Sequence, residues 1–210
     1  MNRKTAMKLF GLLGLLMLLS CGYADRHRNS SSCEQVLVDS LEVRVQDSLF
    51  SNLPYSRSLL RNAMRQAQDS MSYYRLMGLY GKTFFISSDF DSILYYNRPV
   101  KEYDKCAAAC PRWNDVLSDV YNIEGNVWMQ LNQPDSAVAY YEKSYAYRLK
   151  GEKGHLLSDI CMNLADAHLH RGELAHTASY YRRALFICDS LHLSEHSKFP
   201  VYCGLGQTYM

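Results

Sequence analysis

From residue 118 onward, large, small and large residues recur at i, i+4 and i+7, the spacing of one stripe along a helix. Tyr121, Gly125 and Trp128 set the first stripe, and Cys161, Ala165 and His168 the second. Tyr202, Gly206 and Tyr209 read as a third. Each complete stripe is followed by its complement, small, large and small: Ala137, Tyr141 and Ser144, then Thr177, Tyr181 and Ala184. The phrases "AVAYYEKS" from Ala137 and "TASYYRRA" from Thr177 stand forty residues apart. Between the halves, "LNQPD" and "HRGEL" carry turn chemistry, with Pro134 suited to a first helical turn and Gly172 to a helix C-terminus.

The two patterns interlock. Glycine or alanine lets two helix backbones approach, and an aromatic ring from the partner helix fills the space beside them. The expected fold is therefore all-α, an α-solenoid of antiparallel helix pairs in which each pair buries itself on the next. Upstream the pattern weakens but continues. "MGLYGKTFF" supplies Met77, Tyr80-Gly81 and Phe84, and "DFDSILYYN" begins a second helix that Pro99 is expected to kink or end. "EQVLVDSLEVRVQDSLF" and "PYSRSLLRNAMRQAQDS" predict two earlier helices separated by "SNLP".

The pattern resembles the tetratricopeptide repeat, W-x2-L-G-x2-Y, then A-x3-F, then P. One unit shows it as Tyr121, Glu124-Gly125, Trp128, Ala137 and Tyr141. The next shows Cys161, Leu164-Ala165, His168, Thr177, Tyr181, Ala184 and Leu185. Glu124, Cys161, His168 and Thr177 depart from the pattern, and the late proline is missing in both units. "EKGHLL" and "HLSEHSK" add six or seven residues between successive pairs and are expected to lengthen the helices by about a turn. Degenerate helix pairs are expected over 34–117 and repeats over 118–210, the last incomplete, as in a solenoid truncated without a C-terminal cap.

The N-terminus changes the picture. Arg3, Lys4 and Lys8 precede an eleven-residue apolar run, Leu9 to Leu19, then Ser20 and Cys21. A membrane-spanning helix needs roughly 20 apolar residues, so this run fits a secretory signal better. Leu18, Ser20 and Cys21 resemble the lipobox of bacterial lipoproteins, which implies a signal peptide at 1–20 and lipidation of Cys21. Residues 21–33 are polar and aperiodic and read as a flexible tether. Without the three leading cations the chain carries 20 basic against 21 acidic residues, a neutral balance unlike that of a nucleic-acid binder.

Candidate chemistry is sparse. "HLSEH", His192 to His196, matches an H-x-x-E-H zinc-peptidase pattern but falls in the spacer between helix pairs. His168 and His170 lie on different helix faces and do not form a ligand pair. Cys106 and Cys110 lack a second close pair for a metal site. Cys161 and Cys188 read as small core residues that antiparallel helices could bring close. No nucleophile elbow, phosphate loop, carboxylate pair or dinucleotide fingerprint occurs, so neither an enzyme nor a cofactor is expected.

The resemblance implies that the first helix of each pair lines a concave groove. Its register places Arg75, Lys82 and Asp119 there, with Asn122, Asn126, Gln130, Asp159, Asn163, Asp166 and His170 as the candidate partner contacts. Asn122 and Cys203 stand where some members carry carboxylate-clamping lysines, which disfavours capture of a chaperone tail. The implied function is a non-enzymatic protein–protein interaction module, a lipid-anchored periplasmic scaffold binding peptide or protein partners. The alternative is the input region of a longer envelope signalling or transcription-regulating protein. Glycan capture by a helical nutrient-binding lipoprotein fits less well, because that family is much longer.

Overall fold

The computed structural model describes residues 36–103 and 110–209. The signal segment, Cys21, the tether and Cys106 lie outside the described residues. Nine helices are described: α1 (residues 36–48), α2 (Leu53–Gln66), α3 (Ser70–Lys82), α4 (Phe90–Glu102) and α5 (Pro111–Gln130). They continue as α6 (Pro134–Arg148), α7 (Leu157–His170), α8 (Leu174–Ser190) and α9 (Glu195–Thr208). No strand occurs among the described residues.

Local chemistry starts and stops these helices. Asn52, Asp69, Asp89 and Ser194 each accept a backbone N–H from three residues on, capping α2, α3, α4 and α9. Pro134 opens α6, where its missing N–H costs nothing. Asn132 (φ 56°) and Gly172 (φ 73°) end α5 and α7 in the left-handed region, forty residues apart. The next amide closes each end identically: Gln133 N–H donates to Trp128 C=O and Glu173 N–H to His168 C=O, both at 2.9 Å.

The helices stack as antiparallel pairs, α3 on α4, α5 on α6 and α7 on α8, and successive pairs join through α2–α3, α4–α5, α6–α7 and α8–α9. The first helices α3, α5, α7 and α9 also touch in sequence, which sets them side by side along one face. The core is a chain of apolar clusters. Val38, Leu41, Val45, Leu60, Leu76 and Tyr80 tie α1 to α2 and α3. Val100, Trp113, Leu117 and Val120 join α4 to α5. Ala137, Val138, Tyr141, Ile160, Leu164 and Ala167 join α6 to α7. Cys161, Ala165, Tyr181, Ala184 and Val201 tie α7 and α8 to α9. Cys161 and Cys188 are free thiols without exposure, and burial pushes Cys161 up to about 12.

Two sequence expectations are corrected and a third is narrowed. In α9 the forty-residue period holds without a shift. Val201 and Thr208 are the buried counterparts of Cys161 and His168, whereas Tyr202, Gly206 and Tyr209 face solvent. The aromatic side chains at 202 and 209 imitated the stripe one residue out of register. Of the two outcomes expected at Pro99, a kink or an end, α4 rules out the end, running three residues further. "EKGHLL" does not lengthen a helix; it forms a turn and the short 3-10 segment Gly154–Leu156.

That turn is fixed from α5. Asp115, 5% exposed, accepts the N–H of Glu152 at 2.9 Å and of Lys153 at 3.2 Å. A Cβ at residue 151 would fall on the Asp115 carboxylate, so this approach requires glycine. The added residues thus turn inward against the first helix of the preceding pair.

Candidate functional site

The first helices and the 151–156 turn enclose a cavity of about 330 Å³, at the small end of ligand-pocket sizes. Its floor is apolar: Gly78 and Leu79 of α3, Val116, Val120 and Ile123 of α5, and Leu156. Its rim is charged, with Asp39 and Glu42 of α1, Lys82 of α3, Arg112 and Asp119 of α5, and Lys153 and His155 of the turn; the buried Arg75 of α3 and the exposed Val43 of α1 also line it.

Most of the rim charge is consumed internally. Arg75, 7% exposed, pairs with Asp39 at 2.6 Å and lies 3.8 Å from Glu42. Glu42 receives Lys153 Nζ at 2.6 Å, bridging α1 to the turn after α6. Arg112 meets Glu152 at 3.1 Å and Asp39 at 3.6 Å. Beneath the rim, Arg148 of α6 pairs with Asp115 at 2.7 Å and also with Asp119. The Arg148–Asp115 pair is buried on both sides, and such a pair fixes geometry more than it adds stability, because desolvation offsets most of the attraction; the exposed Arg112 pairs add little. Together the pairs hold α1, α3, α5 and the turn at set distances around the cavity. Lys82 and His155 remain at the rim, within electrostatic reach of Asp159.

The predicted groove residues sort into two groups. Arg75, Lys82 and Asp119 line the cavity. The other seven do not, and lie further along α5 and α7. Asn163 Nδ2 donates to Asn122 Oδ1 at 2.9 Å, joining the two first helices. Asn126 accepts the Tyr141 hydroxyl at 2.7 Å, and Asp166 accepts that of Tyr181. Gln130, Asp159 and His170 are exposed. Asn122, Asn126, Asn163 and Asp166 therefore spend hydrogen-bonding capacity on holding helices together.

Sequence reasoning missed Asp39, Glu42 and Lys153 as cavity residues. α1 belongs to the most degenerate pair, and the sequence of the turn predicts a longer helix. The one available signal was the length of "EKGHLL", since residues added between repeats map to loops on one face.

No family model and no curated protein sequence matches the chain. Solved structures do. BtubC (BKLC) from P. vanneervenii superposes with a TM-score of 0.67 at 16% identity, covering 84% of this chain and 73% of that one. A putative kinesin light chain of nearly identical TPR-like repeats from Podosopora anserina superposes with a TM-score of 0.55 at 14% identity, covering 82% and 84%. At such identities the likeness speaks for architecture alone, and it agrees with the stacked pairs: the chain is a tetratricopeptide-like α-solenoid.

Proposed function

We propose that the chain is a non-enzymatic interaction module that binds a peptide or protein partner in the cavity bounded by α1, α3, α5 and the 151–156 turn. The carrying observation is the cavity itself, an apolar floor inside a charged rim that its own ion pairs hold open. That chemistry suits one or two apolar side chains of a partner segment, flanked by polar groups that meet Lys82 and His155. Apolar burial at about 25 cal/mol per Å² supplies affinity, and the rim supplies orientation.

We place this module on a bacterial membrane, facing the periplasm, anchored through lipid on Cys21. The basic start, the short apolar run and Ser20-Cys21 support this reading. None of the described helices is long and apolar enough to cross a membrane.

The test is a pull-down from solubilised membranes with the native chain and a rim variant, Val43→Lys, Lys82→Glu and His155→Glu. Val43 and His155 are exposed and Lys82 is half-buried, so the variant keeps its core. A partner captured by the native chain and lost from the folded variant supports the cavity as the binding site. Equal capture by both refutes it. Release of Cys21→Ala from the membrane fraction supports the anchor, and retention refutes it.

A further inference from the structure

Where α7 turns into α8, three side chains converge, one from the end of α7 and two from the start of α8. His168 Nδ1 lies 2.6 Å from Glu173 Oε2, and His176 Nδ1 lies 3.8 Å from the same oxygen. Their donor atoms all fall within 4.8 Å of one another. We propose that His168, Glu173 and His176 form a binding site for a divalent transition-metal ion of the zinc type. This inference is independent of the cavity at the other end of α5.

The donor set selects the metal class. Two imidazoles and one carboxylate suit zinc and its first-row neighbours, whereas magnesium and calcium favour all-oxygen shells. Zinc bonds of about 2.0–2.2 Å place tetrahedral donors about 3.4 Å apart. The two separations, 2.6 and 3.8 Å, bracket that value, so a metal would part His168 from Glu173 slightly and draw His176 inward.

The surroundings prepare two of the three ligands. His168 is nearly buried, and its ring stacks on Tyr180 at 5.3 Å with planes 12° apart. Arg171 holds Glu173 Oε1 at 2.8 Å, which leaves Oε2 directed at the histidines, and Asp135 at 3.0 Å balances the arginine. Such outer partners orient metal ligands. His176, 67% exposed, is the mobile ligand. Its ring stacks on His168 at 5.1 Å, so in-plane donation to a shared ion requires it to swing out of the stack, and its exposure permits that. Three protein ligands leave a fourth position to water or to a donor from a partner. The ion would bind the end of α7 to the start of α8 and stiffen that pair.

The competing histidines are His192 and His196. His192 sits in a left-handed turn before α9 (φ 51°), and His196 in the first turn of α9. Among the described residues, no second group of three histidine, cysteine or acidic side chains converges as these do.

The experiment is titration of the full chain with Co²⁺, read by visible d–d absorption, followed by displacement with Zn²⁺. Four forms are compared: native, His176→Ala, Glu173→Gln, and the control pair His192→Ala with His196→Ala. Circular dichroism verifies that each is folded, and exposed His176 is the substitution least disturbing to the core. One Co²⁺ per native chain, with bands lost in His176→Ala and Glu173→Gln and kept in the control, is the expected result. Absence of bands, bands that survive His176→Ala, bands lost only in the control, or intense thiolate charge-transfer bands would each overturn the proposal.

Discussion

The hydroxyl of Tyr141 donates to Asn126 Oδ1 at 2.7 Å. Forty residues on, the Tyr181 hydroxyl donates to Asp166 in the same geometry, from the second helix of a pair to the first. The recurring Tyr-Tyr phrase thus repeats a hydrogen bond as well as a volume. Tyr141→Phe and Tyr181→Phe should each cost about 1 kcal/mol in urea unfolding, the usual net value of one such bond. Asp166 stays open to water, so its bond should measure no stronger than the neutral one. If both variants unfold like the native chain, these bonds do not lock the pairs.

Each of the two rings leans on a glycine, but on opposite sides. A Cβ at Gly125, within the Tyr141 pair, would overlap the Tyr141 ring. A Cβ at Gly204, on the following helix, would overlap the ring of Tyr181. The forty-residue equivalents are Leu164 for Gly204 and Ala165 for Gly125, so each tyrosine has one glycine neighbour and one larger residue. Alanine in a helix gains about 1 kcal/mol over glycine. Overpacking against a buried ring costs typically 1–3 kcal/mol and should exceed that gain. Gly125→Ala and Gly204→Ala are therefore expected to lower the thermal midpoint, while Gly206→Ala, which meets nothing within 4 Å, should raise it slightly.

The architecture was legible because side-chain volume and turn chemistry recurred together at one period. Tyr141 and Tyr181, with the turn phrases "LNQPD" and "HRGEL" between the halves, mark that period without reference to tertiary contacts. Register failed in α9 because a stripe defined by size cannot distinguish Tyr202 from Val201, whereas burial can. Lys82 and Asp119 followed from the helix register. Asp39, Glu42 and Lys153 did not, since they meet across three helix pairs. Glu173 and His176 lie three residues apart at the start of α8, but His168 joins them across the α7–α8 turn, where no helical periodicity runs.

The Asp115–Arg148 pair should behave as a buried ion pair on which a turn depends. Both side chains are nearly inaccessible, and Asp115 also satisfies two turn amides. Asp115→Ala leaves the Arg148 charge with Asp119 alone and frees the 151–153 backbone, so a loss of about 3–5 kcal/mol is expected. Hydrogen exchange should report early opening of the amides of Glu152 and Lys153. A double-mutant cycle with Arg148→Met should show positive coupling; additive losses would mean that the pair and the turn are independent.

Alkaline unfolding should be governed partly by the buried phenols. Burial first raises Tyr141 and Tyr181 above the ordinary tyrosine value of 10.0; the Asp166 charge adds to this at Tyr141, and at Tyr181 the hydrogen bond to Asp166 adds to it ahead of the Asp166 charge. A folded state that holds its proton more tightly than the unfolded chain keeps full stability below about pH 10 and loses it as pH rises beyond. In an ultraviolet titration, two tyrosines should therefore stay un-ionised until circular dichroism collapses. Tyr141→Phe and Tyr181→Phe should both flatten the alkaline loss; an unchanged slope would locate it elsewhere.

Glu124 stands where the tetratricopeptide pattern carries leucine, and it is wholly buried. Its partner is Lys101 of α4, with Nζ 2.7 Å from the carboxylate and facing Tyr121 and Tyr140 at 5.7 and 5.9 Å. The departure from pattern thus pins one helix pair to the next. Lys101→Met alone leaves a buried carboxylate unpaired and should cost about 3–5 kcal/mol. Glu124→Leu alone removes the buried charge and frees Lys101, itself only partly buried, to reach water, so its cost should be much smaller. The double variant restores an apolar contact and should recover most of the loss, as buried pairs replaced by packed apolar groups commonly do. Urea unfolding of the three variants decides this: if Lys101→Met and Glu124→Leu cost the same and the double variant costs their sum, the pair does not couple α4 to α5.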